Sequence, residues 1–218
     1  MTVKLKVLEF ANKVSRKKMG SKEGIQPTDP EYMILEPVVS EEMAEVALCL
    51  KLREPQSAAE VAALCGKTAE RSAQLLWELA MAGVCFVNKI DGVDKYWHDT
   101  WVPGIMEMMT NNKENVKKYP QIAEAFEAYG RVRGPMTAGN FPVGVGLMRV
   151  IPIESAIDGN SRKASYEEVS KYLNENSIFS VSDCSCRTVR ETMGEGCGHL
   201  KEDMCIQMGH AAEYYIRT

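Results

Sequence analysis

The sequence predicts an α+β fold, mostly helical, in which a winged helix-turn-helix domain is followed by a small α/β cysteine-rich domain. Three observations predict it. Capping residues at Ser40, Ser57 and Thr68 open three runs of helical apolar spacing, and two short apolar stretches around Asp91-Gly92 follow them. Strand-like and helix-like segments then alternate between Leu147 and Asp183. Finally, four of the seven cysteines crowd into VSDCSCRTVRETMGEGCGHLKEDMC, Val181–Cys205.

The chain has 218 residues, 45% apolar and 26% charged, with a formal net charge of −4. A chain of this size buries roughly 70% of its unfolded surface, enough for one large domain or two small ones. No apolar run approaches the roughly 20 residues that cross a bilayer. The longest, AMAGVCFV at Ala80–Val87, contains a turn glycine. The start, MTVKLKVLEF, lacks the apolar core of a secretion signal, so a cytoplasmic protein without membrane attachment is expected. In that reducing compartment, clustered cysteines serve as ligands or redox groups more often than as structural disulfides, and the odd total opposes full pairing. The acidic balance gives no general attraction to nucleic acid. Within residues 1–36, the basic run KVSRKKMGSK (Lys13–Lys22) reads as part of a solvated amphipathic helix or arm.

Residues 37–102 carry the winged-helix signals. After Ser40, the residues Met43, Val46, Ala47 and Leu50 recur on one helical face. Pro55 interrupts the chain, and Ser57–Glu60 (SAAE) has the capping-box spacing of a second helix that stops at Gly66. Thr68 opens a third helix, with Ala69, Ala73, Leu76 and Ala80 as its apolar side and Gly83 as its end. VCFV and KYW then read as the two strands of a hairpin. In such a domain the third helix would read DNA, but its polar positions include Glu70 and Glu78 beside Arg71 and Gln74. Acids are unfavourable on a surface meant for phosphates, so nucleic acid is not the expected partner and the module is expected to pack or dock. Cys49, Cys65 and Cys85 occupy apolar positions here and read as core.

Residues 103–146 read as a helical connection ending near Gly130, followed by the Gly- and Pro-rich run Arg133–Gly146. The GVG at Gly144–Gly146 lacks the third glycine of a dinucleotide fingerprint. Residues 147–218 read as a small α/β domain. LMRVIPIE is its first strand, YEEVSKYLNEN a helix capped by Ser165, IFSVSD a second strand, and KEDMCIQMGHAAEYYIR a closing helix.

The four cysteines of that domain are spaced Cys-x-Cys-x10-Cys-x7-Cys. Glycines around Cys197 allow its sulfur to turn toward Cys184, Cys186 and Cys205. Thiolates gathered at one point repel one another unless a cation neutralises them, which makes this pattern a candidate metal site. Four thiolates suit tetrahedral zinc, and equally the four irons of a 4Fe–4S cluster. The spacing does not choose between them. His199 is a substitute ligand of lower rank, and Arg187, Arg190 and Lys201 are expected to offset residual negative charge.

The stretches DPEYMILEPVVSEEMAEVAL, VDKYWHDTWVPGIMEMM, GVGLMRVIPIE and CSCR…GCGH…DMCIQMG together resemble the N-terminal region of a group of anaerobic bacterial oxidoreductases. These are iron–sulfur (4Fe–4S), FAD-dependent enzymes of the pyridine nucleotide-disulfide type, with a CxCR…C…C cysteine region. The resemblance covers most of the chain and is most specific from CxCR to CIQMG. It implies a 4Fe–4S cluster rather than zinc on Cys184, Cys186, Cys197 and Cys205, and an electron-transfer role beside other redox domains or subunits. It also implies FAD and NAD sites in a C-terminal part that this chain, ending at IRT, does not include. No catalytic residue is expected within the chain, and turnover by it alone is not expected. The reading of another class is a zinc-stabilised regulatory or scaffold protein whose winged helix binds DNA or a partner protein.

Overall fold

The computed structural model describes residues 2–138 and 169–218 as a mixed α/β chain, mainly helical, with two small antiparallel sheets. The expected strand LMRVIPIE, the Ser165 cap and the GVG run lie outside the described residues.

The N-terminal segment opens with an amphipathic helix whose apolar face joins the core, while Arg16, Lys17, Lys18 and Lys22 of the basic run stay exposed. Helix α1 (Leu5–Val14) buries Val7, Phe10, Ala11 and Val14, and α2 (Pro30–Leu35) buries Tyr32, Ile34 and Leu35. Lys13, expected in solvent, donates from its ammonium to the carbonyls of Leu48 and Leu50, closing the end of α3 (Glu41–Ala47).

Local signals fix the next elements. Ser40 Oγ accepts from the Met43 N–H at 3.1 Å and starts α3. Ser57 and Glu60 form a reciprocal capping box at the start of α4 (Ala58–Cys65), and Gly66 ends it at φ +68°. Thr68 accepts from the Arg71 N–H at the start of α5 (Ala69–Met81). The core side of α5 is Ser72, Leu75, Leu76, Leu79 and Ala80, so the expected stripe through Ala69 and Ala73 is rotated from the observed one. Packing of Leu75 and Leu79, two larger side chains, sets that rotation. Strands β2 (Phe86–Ile90) and β3 (Val93–Trp97) pair antiparallel around Asp91 (φ +51°) and Gly92 (φ +78°), the left-handed pair that a two-residue hairpin requires. Strand β1 (Gln56–Ser57) joins the other side of β3.

Three helices follow: α6 (Ile105–Asn111), α7 (Lys113–Lys118) and α8 (Gln121–Ala138). The expected break near Gly130 is not seen, because tertiary contacts hold α8 through it. Ile122, Ala123, Ala125 and Phe126 are buried, and Arg133 Nε donates to the buried Glu31 of α2 at 2.6 Å.

The C-terminal part contains α9 (Val169–Glu175), β4 (Phe179–Ser182), α10 (Ser185–Thr192), β5 (Cys205–Met208) and α11 (His210–Arg217). The stretch CIQM is a strand rather than the start of a helix. It pairs antiparallel with β4, Ser182 opposite Cys205 and Phe179 opposite Met208, and Gly209 at φ +60° separates it from α11. The hairpin sheet holds this part in place. Tyr214 Oη donates to the Ala80 carbonyl at 2.7 Å, Asn88 Nδ2 donates to the His210 carbonyl at 2.8 Å, and Arg217 pairs with Asp94 at 2.8 Å. Phe86 stacks on Trp97 at 5.3 Å and meets the Tyr214 ring edge-on at 5.1 Å. Tyr214 thereby belongs to the main core.

Candidate functional site

Cys184 is the N-cap residue of α10, placed there by the end of β4, and its N–H donates to the Lys201 carbonyl at 2.8 Å. Cys186 lies in the first turn of the same helix, and Cys205 opens β5. Helix α10 rests on α6 and α8, and α11 covers both strands. These packing relations make Cys186 and Cys205 neighbours of Cys184. Cys184 lies near enough to both to influence their titration.

Partial desolvation raises the Cys186 thiol above its ordinary value, and Cys184 and the Glu107 carboxylate add to the rise. Desolvation and then Cys184 do the same to Cys205, while the Ser185 N–H at its sulfur pulls the other way. Both therefore stay protonated near neutrality unless a cation enters. Among the described residues, no side-chain cation acts on either thiol. Arg187 donates to the Leu200 carbonyl, Arg190 pairs with Glu127 and Glu195, and Lys201 pairs with Glu191. Of the three residues expected to offset sulfur charge, Arg190 and Lys201 are thus paired with carboxylates, whereas Arg187 bonds a neutral carbonyl and keeps its charge.

Cys197 stands apart. It is exposed on the loop after α10 and lines a 220 Å³ hollow with His199, Arg187 and Lys201. Among the described residues no group of three or more His, Cys, Asp or Glu side chains is arranged to hold a metal ion. The donor chemistry nevertheless fits a thiophilic cation, since Cys186 and Cys205 neighbour Cys184 and no cation among the described residues acts on them. The fourth candidate is carried on a loop with open space at Gly194 and Gly198, where an added Cβ would meet nothing within 4 Å.

No protein-family model, curated protein or solved structure matches this chain.

Three residues beside the sulfurs were not singled out from sequence. Glu107 of α6 is mostly buried; desolvation raises its carboxyl, and the Gly104 N–H donates to Oε2 at 2.6 Å. Asn111 Nδ2 donates to Ser182 Oγ and to Tyr215 Oη, both at 3.3 Å. Burial raises the Tyr215 phenol, with Glu107 and Cys205 adding to it. The Glu107 spacing from Gly104 marks a helix start, but nothing in IMEMMTNN links it to a thiol more than seventy positions later. The other cysteines are free too. Cys85 is fully buried, whereas Cys49 and Cys65 are half-buried, their sulfurs bonded to the Glu45 and Ala62 carbonyls. His210 packs beside Phe86 and Trp97.

Proposed function

We propose that the chain is an electron-transfer module whose cysteine region holds an iron–sulfur cluster. The observation that carries this reading is that Cys184 neighbours both Cys186 and Cys205, with no side-chain cation among the described residues acting on the latter two. Burial keeps Cys186 and Cys205 as thiols, and a thiophilic cation would bind the cysteines as thiolates, with release of protons. Cys197 is the fourth ligand in this reading, brought in by the glycine-bearing loop. When bound, the cluster supplies a one-electron redox centre. The chain's own residues shape its surroundings: the Ser185 N–H supplies a hydrogen bond to sulfur, and Glu107 places negative charge next to Cys186, both of which tune a potential. In this reading the winged-helix-like half docks the cysteine region, through Tyr214, Asn88 and Arg217.

Metal and sulfide analysis of protein prepared without oxygen tests the proposal. Iron with matching acid-labile sulfide is expected, lost together in Cys184→Ser and in Cys197→Ser. Stoichiometric zinc without sulfide would reject the cluster. It would support a zinc-stabilised scaffold instead, and one specific observation already disfavours the DNA-binding version of that scaffold. Arg71 of α5 and Lys67, just before its Thr68 cap, are engaged by Glu42 and Glu45.

A further inference from the structure

We infer that Glu195 is a positioning residue: its ion pairs fasten the loop that carries Cys197, and so set how readily that thiol joins Cys184, Cys186 and Cys205 around a thiophilic cation. The second half of this statement rests on the cysteine reading above. Glu195 lies two residues before Cys197, in the loop between α10 and β5. Its carboxylate accepts from Arg190 Nη1 at 2.5 Å and from Arg131 Nη2 at 3.5 Å. The same two guanidiniums hold Glu127, which lies 3.1 Å from Arg190 and 2.8 Å from Arg131. Cations and anions thus alternate around a closed ring that joins α8, α10 and the loop. The Glu127 side chain is 14% exposed, so this corner roots the ring in α8. Backbone bonds act at the same point. The Gly194 N–H donates to the Glu191 carbonyl at 2.9 Å, and the Glu195 N–H to the Arg190 carbonyl at 2.8 Å.

The far end of the loop is fastened separately, and on Cys184 itself. Lys201 pairs with Glu191, Arg187 donates to the Leu200 carbonyl, and the Lys201 carbonyl accepts from the Cys184 N–H at 2.8 Å. Cys197 therefore sits between two anchors, with Gly196 and Gly198 on either side of it. A short segment with fixed ends and glycines at its middle swings one side chain over a limited arc. Firmer ends confine the sulfur to fewer positions and lower the entropy lost when it reaches a shared cation. One exposed ion pair contributes little, whereas a network of several charges contributes more. Attraction between such exposed groups weakens as salt rises.

Two measurements on the full, reduced, metal-free chain test the inference. Hydrogen exchange of the Gly194 and Glu195 amides, resolved by NMR, is expected to quicken in Glu195→Gln at low salt. Titration with Cd²⁺, read by thiolate-to-metal charge-transfer absorption, gives the second readout. Glu195→Gln is expected to weaken Cd²⁺ binding about threefold to fivefold at low salt, and high salt to remove the difference. In a Cys197→Ser background the same substitution is expected to have no effect, because the residue it positions is gone. A general loosening of the fold would instead weaken both backgrounds equally, and that result overturns the inference alone. Unchanged amide exchange in Glu195→Gln also overturns it. A parent chain that binds no Cd²⁺ overturns the cysteine reading, and the inference with it.

Discussion

A methyl group at position 83 has no room. Gly83 follows α5 at φ +80°, and an added Cβ would lie 2.6 Å from the backbone of Met108 and Met109. Gly66 is a useful contrast, with φ +68° and nothing within 4 Å of the added atom. Gly66→Ala is therefore expected to cost only the left-handed penalty, about 1 kcal/mol, whereas Gly83→Ala adds displacement of α6 and is expected to cost about 2–4 kcal/mol. Urea unfolding of the two variants measures the difference, and equal midpoints would remove the steric explanation. Position 83 was legible from sequence as a helix stop. Its contact with α6 was not, because nothing local to Gly83 records what packs against it. The sulfur site divides in the same way: the cysteines themselves stand out in the sequence, while Glu107, Asn111 and Tyr215 become visible only once α6 and α11 are brought beside them.

Among the elements, those built on neighbouring residues were the readable ones. The caps at Ser40, Ser57 and Thr68 and the Asp91-Gly92 turn need only a few positions to form. Ser57→Ala removes one half of a reciprocal box and is expected to cost about 1 kcal/mol. Glu60, the other half, has its carboxyl pulled down to about 2 by the Ser57 hydroxyl and N–H and by Lys95. A depressed carboxyl stabilises the folded chain above its unfolded value and loses that contribution as pH falls through the folded one. The stability gap between the parent and Glu60→Gln should thus be present above pH 5 and shrink to nothing toward pH 2. Chemical denaturation at a series of pH values reads it, and a gap independent of pH would refute the assignment. Elements that depend on distant partners were not legible. Strand β5 needs β4, on the far side of α10, and without that partner CIQM has the composition of a helix. Helix α8 continues past Gly130 because Glu31 anchors Arg133 from the other end of the chain.

At the scale of the molecule, the two halves distinguished by their sequence patterns share buried contacts. Helix α11 carries Tyr214 into the core of the first half, so Tyr214→Ala should destabilise the whole chain by about 3–5 kcal/mol, in one transition rather than two. A separate early melting of the cysteine region, seen by calorimetry, would contradict that coupling. The engagement of Lys67 and Arg71 by acids gives a second expectation. Duplex DNA should show no steeply salt-dependent binding, and Arg71→Ala should leave any residual retention unchanged.

Cys205 opens the strand that leads through Gly209 directly to Tyr214, whose ring touches the Phe86–Trp97 stack. Indole emission is sensitive to small rearrangements of its neighbours. If the proposed cluster is present, its loading is expected to register as a change in Trp97 fluorescence without any added label.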